Sequence, residues 1–266
     1  MKKIFFVTLF IAFATNLFAQ DIISAAEAKK LSADKNTVIV STRPAEDYAK
    51  VHIRNAVHVN VDELASTTDP KGVLKSTSEI AKMLGEKGID PAKKIIIYDT
   101  GSNKSAGRLY WILKYLGFAD VKIMDGHINA WRAARGPVTN AVTKTTAVTF
   151  TPTVNTKIFA DKAYVKSKLN KAAIVDVRDN AEIAEGMIPG AIHFEYKNVI
   201  TEDGKLKSKE ELEKMFNSAG ITKNKEVILY CATSVRAGIV FLALTTVLDY
   251  PNVKVYDGAY NEWKLN

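Results

Sequence analysis

A single cysteine, Cys231, stands in the whole chain, so no internal disulfide and no paired-thiol motif can form. Histidine is nearly as scarce. His52, His58, His127 and His193 are scattered without metal-ligand spacing, so no metal and no organic cofactor is expected. Beyond the N-terminus no apolar run approaches the roughly 20 residues a bilayer span needs. Clustered charge is missing too. The formal charge is +8, but the lysines are dispersed and aromatics are not interleaved with them, which argues against a nucleic-acid platform.

The N-terminus itself reads Met1-Lys2-Lys3, an apolar run from Ile4 to Phe18 broken by Thr8, Thr15 and Asn16, and then Ala19. A positive start, an apolar stretch and a small residue are the marks of a secretory signal peptide, residues 1–19, cut after Ala19. The expected mature chain is exported, periplasmic in a bacterium, and free of the membrane after cleavage. Loss of Lys2 and Lys3 lowers the formal charge from +8 to +6. That mild bias suits small anionic substrates and plain solubility equally.

The rest of the chain repeats itself. Val38-Ile39-Val40-Ser41-Thr42-Arg43 aligns with Ala173-Ile174-Val175-Asp176-Val177-Arg178, and Ile53 to His58 with Ile188 to His193. Lys94 to Tyr98 then matches Glu226 to Tyr230, and Asp125-Gly126 with Trp131 matches Asp257-Gly258 with Trp263. Four blocks in one order at nearly constant spacing indicate a duplication. The expected layout is a first domain over 20–136, a connector over 137–156 and a second domain over 157–266, each domain of ordinary size. The connector, rich in Thr and Val, reads as an extended surface segment, with Ala147-Val148-Thr149-Phe150 as an alternative short strand.

Within each copy, short apolar runs such as Ile95 to Tyr98 and Val227 to Tyr230 look like buried strands. Ser78 to Gly88 and Lys209 to Gly220 carry helical spacing and end in a glycine suited to a left-handed cap. Strands alternating with helices predict two small α/β domains, each a mainly parallel sheet with helices on both faces.

An isolated cysteine is usually a buried small hydrophobe. Cys231, however, follows the apolar strand Val227 to Tyr230 and precedes Ala232-Thr233-Ser234-Val235-Arg236 and a helical stretch. The thiol is therefore expected at the carboxyl end of a parallel strand, where open α/β sheets bind ligands. A tight loop running into a helix turns backbone N–H groups inward, which favours a thiolate.

In these features the chain resembles the tandem-domain rhodanese family of thiosulfate and 3-mercaptopyruvate sulfurtransferases. The match runs through Asp176-Val177-Arg178, Gly186 to Ala191, the Cys231 to Arg236 loop, and Asp257-Gly258 with Trp263. The resemblance implies a catalytic Cys231 that takes sulfur from thiosulfate, or from 3-mercaptopyruvate, as a persulfide and passes it to cyanide or a thiol. It also implies an inert first copy, with Asp99 standing where Cys231 stands in the second and holding the loop through its N–H groups. The N–H groups of Ala232, Thr233, Ser234, Val235 and Arg236 would hold developing negative charge. Arg236 would grip the anionic donor through its fork. Arg178 is read either as a second donor contact or as an ion pair with Asp176. Glu182 stands where some family members carry a further donor-binding arginine.

His58 and His193 are repeat-equivalent and read as structural, as do Trp131 and Trp263. Two other functions fit parts of the pattern. A phosphocysteine phosphatase also uses a cysteine, a cradle and an arginine, but with one more residue between them than the four present here. A non-enzymatic persulfide carrier would keep the fold, and the loop matches neither typical family version. Oligomeric state leaves no mark in the sequence.

Overall fold

The computed structural model of the chain describes residues 21–265, and the expected signal segment lies outside them. The first copy builds its sheet from β1 (Ile22–Ile23), β2 (Thr37–Ser41), β4 (Val57–His58), β5 (Lys94–Tyr98) and β6 (Val121–Met124), with β3 (His52–Ile53) apart. The strand order is β1-β6-β5-β2-β4, and every pairing is parallel. After β7 (Val138–Thr139), the second copy supplies β8 (Phe159–Ala160), β9 (Ala173–Asp176), β10 (Ile192–His193), β11 (Val227–Tyr230) and β12 (Val253–Tyr256). Their order, β10-β9-β11-β12-β8, is the first sheet's order read from the other edge, again parallel throughout. Helices α1 (Ala25–Leu31), α2 (Ala45–Lys50), α3 (Thr77–Glu86), α4 (Lys104–Tyr115) and α5 (His127–Ala133) belong to the first domain. Helices α6 (Lys162–Lys168), α7 (Lys209–Ser218), α8 (Ala237–Leu242) and α9 (Ala259–Trp263) belong to the second.

Local chemistry explains these elements. All four residues of β11 are buried, as a strand covered on both faces requires, which is why it reads as an unbroken apolar run. Helices α3 and α7 each start on a capping box, Ser76 with Glu79 and Ser208 with Glu211. Each leads to a glycine in the left-handed region, Gly88 at φ +74° and Gly220 at φ +75°.

The duplication extends to individual hydrogen bonds. Tyr98 Oη accepts from Ile53 N at 3.1 Å, and Tyr230 Oη accepts from Ile188 N at 3.1 Å. His58 Nε2 lies 2.8 Å from the Arg43 carbonyl, and His193 Nε2 2.9 Å from that of Arg178. Both histidines thus pin the chain after β2 and β9.

The two domains share one apolar core, which runs from Val40, Ile97 and Trp111 to Val175, Leu229 and Phe241. It is continuous because α4 and α8 cross in contact. Each domain also reaches into the other with a hairpin. Leu74 N donates to Asp257 Oδ2 at 2.8 Å, and Leu206 N donates to Asp125 Oδ1 at 3.1 Å. The repeated Asp-Gly pairs therefore anchor the neighbouring domain's hairpin.

The connector is extended and tied to the first domain. Val148 N donates to Gly85 O at 2.9 Å and Asn155 N to Tyr115 O at 2.7 Å, while Phe150 meets Phe118 edge to face. Ala147 to Phe150 forms no strand, since it lies along the end of α3 rather than at a sheet edge. The strand in this segment is instead β7, paired antiparallel with β3.

Candidate active site

Strand β11 ends at Tyr230 and places Cys231 at its carboxyl end, between β9 and β12. The loop that follows is held from outside. Tyr260 N donates to the Cys231 carbonyl at 2.9 Å and Asn261 N to the Ala232 carbonyl at 3.1 Å, so α9 clamps the loop base. Ser234 takes the left-handed conformation, φ +58°, which a short polar side chain tolerates. Its hydroxyl donates to the Tyr256 carbonyl and is wholly buried. Ser234 therefore shapes the loop, and its side chain is not a donor contact.

Thr233 faces the other domain. A Cβ built on Gly72 would come within 2.6 Å of Thr233 Cβ, so only glycine lets the first domain's hairpin pass so close. Thr233 and Val235, with Lys71 and Arg108 of the first domain, line an interdomain cavity of about 260 Å³. Arg108 is buried there and paired with Asp257 at 2.9 Å. Cys231 itself is 0 % exposed.

The first copy shows what the loop is built to hold. Asp99 Oδ2 accepts from Ser105 N at 3.0 Å and from Ala106 N at 3.2 Å. Burial pushes the Asp99 carboxyl up to about 6, against the pull of the Thr100, Ala106 and Ser105 N–H groups. A carboxylate thus sits where α4 begins, with backbone N–H groups aimed at it. By the repeat, Arg236 and Ala237 stand in the second copy where Ser105 and Ala106 stand in the first, and Cys231 stands where Asp99 does. The first loop is one residue longer and carries Ser105 where the second carries Arg236.

Arg236 is the N-cap of α8, at the end of the loop that Cys231 begins. Its fork is filled by carboxylates. Nη1 donates to Asp179 Oδ2 at 2.6 Å and to Glu182 Oε2, and Nη2 donates to Glu182 Oε1 at 2.8 Å. Burial works against the guanidinium's charge, but Glu182 and the Cys231 sulfur outweigh burial and hold it firmly protonated. Arg236 in turn holds the Glu182 carboxyl below its usual range, chiefly through their hydrogen bond.

Of the two readings of Arg178, the structure shows the ion pair with Asp176 and no donor contact. Its Nε bonds both Asp176 oxygens at 3.0 Å, Nη2 bonds Oδ2 at 2.6 Å, and its guanidinium carbon lies 3.9 Å from the Tyr260 ring centroid. The remaining donors reach the Glu182 and Gly186 carbonyls. With 1 % of its surface exposed it is a structural ion pair beneath the site, because Asp176 on β9 is itself fully buried and needs a partner.

Asp179 was not legible as a site residue, although Asp179-x-x-Glu182 forms a capping box on a short 3₁₀ turn, and that pattern was the available signal. Among the described residues no group of His, Cys, Asp and Glu could hold a metal.

A family model for the rhodanese-like domain matches residues 24–134 and again 161–266. The chain is 32% identical over 233 residues to the 3-mercaptopyruvate sulfurtransferase of Escherichia coli K12, covering 82% of each chain. It is 30% identical over 215 residues to the sulfur carrier protein TtuD of Thermus thermophilus, covering 71% of this chain and 74% of that one. The crystal structure of SseA from Escherichia coli superposes with a TM-score of 0.83 at 29% identity, covering 90% of this chain and 98% of that one.

Proposed function

The chain belongs to the rhodanese family of sulfurtransferases, and from that membership we propose that Cys231 carries sulfur as a persulfide from a small anionic donor to cyanide or a thiol. The observation that carries this reading is that Cys231 ends a buried parallel strand in a loop running into α8, and that the twin of this loop holds Asp99 through the N–H groups of Ser105 and Ala106.

In the first step the Cys231 thiolate attacks the outer sulfur of thiosulfate. A bond forms to Cys231 Sγ, the donor's S–S bond breaks, and its electron pair leaves on sulfite. With 3-mercaptopyruvate a C–S bond breaks instead, and the pair leaves on the enolate of pyruvate, which takes a proton from solvent. In the second step the acceptor attacks the outer sulfur and Cys231 departs as thiolate. The N–H groups of Ala232 to Arg236 would stabilise charge on the transferred sulfur, and the first copy serves as an inert partner. The leader of residues 1–19 supports export as the setting.

A second reading, a persulfide carrier with little turnover of its own, draws support from the complete burial of Cys231 and from the likeness to TtuD. One assay separates these readings. Residues 20–266 would be given thiosulfate with cyanide, 3-mercaptopyruvate with a thiol, and an aryl phosphate. Catalytic sulfur transfer lost in Cys231→Ser supports the enzyme; a single turnover per chain supports the carrier. Phosphate release without sulfur transfer would overturn both.

A further inference from the structure

The two copies differ most in what stands over their loops. In the first, Pro44 and Ser105 occupy the repeat positions of Asp179 and Arg236, and the space over Asp99 is a cavity of about 350 Å³ lined in part by Arg43, Lys104 and Ser105. In the second, Arg236 crosses that space to Asp179 and Glu182. The bridge is therefore an addition confined to the copy that holds the thiol.

Its charges are arranged with the acids outermost. The Asp179 and Glu182 side chains are 30% and 31% exposed, while that of Arg236 is 16% exposed beneath them. Asp179 also pairs with Lys197, which reaches Glu195 at 3.2 Å. On this side of the Cys231 loop three carboxylates, Asp179, Glu182 and Glu195, thus face two cations, Arg236 and Lys197, while on the interdomain side Asp62 and Lys71 offset one another. Arg178 adds nothing to this balance, since Asp176 cancels it inside the fold. A sulfur donor approaching past Asp179 and Glu182 meets a net negative cluster and a guanidinium whose fork is occupied.

We propose that Glu182 is a specificity-determining residue that turns the Cys231 site away from dianionic donors such as thiosulfate and toward persulfides whose neighbouring group is cationic, the amino-thiol class. The proposal rests on the persulfide reading above and deepens it. An ammonium group two carbons from the inner sulfur of the persulfide could pair with the outer oxygens of Asp179 or Glu182, where the anionic oxygens of thiosulfate are repelled. The loading step balances without a co-reactant. Cys231 thiolate attacks the terminal sulfur of R–S–SH, the Sγ–S bond forms, the S–S bond of the donor breaks, and R–S⁻ leaves with the electron pair while the proton stays on the transferred sulfur.

Glu182→Gln isolates the charge. The amide oxygen can still accept the Asp179 N–H that Glu182 Oε2 now accepts at 3.2 Å, so the turn keeps its shape. Loading of Cys231 would be followed by rapid-quench intact mass with two probes, thiosulfate and cysteamine persulfide, on wild type, Glu182→Gln and Asp179→Asn. The readout is the ratio of the two loading rates, so that the intrinsic reactivity of each donor cancels between variants. The expected result is a rise of about tenfold in the thiosulfate-to-cysteamine persulfide ratio in Glu182→Gln, and a smaller rise in Asp179→Asn. If Glu182→Gln fails to fold, the rise in Asp179→Asn decides. A ratio within about twofold of wild type in the folded variants overturns the selectivity while leaving persulfide chemistry intact. Failure of every donor to load wild-type Cys231 overturns the persulfide reading itself, and the selectivity with it.

Discussion

Gly107 on α4 and Gly238 on α8, equivalent residues of the two copies, lie backbone against backbone. A Cβ on Gly107 would come within 2.7 Å of the Gly238 carbonyl carbon, and one on Gly238 within 2.5 Å of Arg108 N. This crossing lets a single core serve both domains, and it also fixes the helix that begins at Arg236.

Gly238→Ala should therefore destabilise the protein by about 1–3 kcal/mol, as overpacking does where backbone must shift. Denaturant unfolding would measure it. The same change at Gly220, where nothing lies within 4 Å, meets no such clash and reports only the strain of its φ of +75°. A Gly238→Ala variant as stable as wild type would mean that the helices do not meet as described.

Asp99 gives a pH signature. Its carboxyl is buried and raised from 3.8 to about 6, so folding favours the protonated form. The stability this contributes is fully present below pH 3.8 and is lost as pH rises through about 6. Across that window the loss amounts to about 3 kcal/mol at 1.36 kcal/mol per unit. Asp99→Asn keeps an acceptor for Ser105 N and Ala106 N but cannot ionise. The wild-type stability minus that of Asp99→Asn should therefore fall between those pH values, with sulfur loading of Cys231 unchanged. A flat difference would show that Asp99 ionises freely.

Arg178 and Arg236 should separate in their effects. Arg178→Gln leaves Asp176 buried without its cation, which costs about 3–5 kcal/mol of stability. Its KM for donors should stay within about twofold of wild type, because the guanidinium lies under the site rather than in it. A large rise in KM with little loss of stability would return Arg178 to the donor site.

How far the sequence carries is visible in these same residues. The strands β5 and β11 and the duplication could be read directly, because buried parallel strands are continuous apolar runs and repeats preserve their spacing. Cys231 at a strand end followed from that reading. The sequence left Arg178 open because an Asp-x-Arg pattern is compatible with an ion pair or a free cation, and burial decides between them. The Asp179 to Arg236 bond joins residues 57 positions apart, and Gly72 meets Thr233 across the domain boundary. Contacts of that kind depend on how two domains dock, which local pattern does not encode.

Storage of sulfur on Cys231 is read out by intact mass. Residues 20–266 treated with a sulfur donor should gain the mass of one sulfur atom, about 32 Da, on the Cys231 peptide, lose it on adding cyanide, and show no gain in Cys231→Ser. An unchanged mass with thiosulfate, 3-mercaptopyruvate and cysteamine persulfide alike, or a gain that survives Cys231→Ser, would show that Cys231 is not the sulfur-carrying residue.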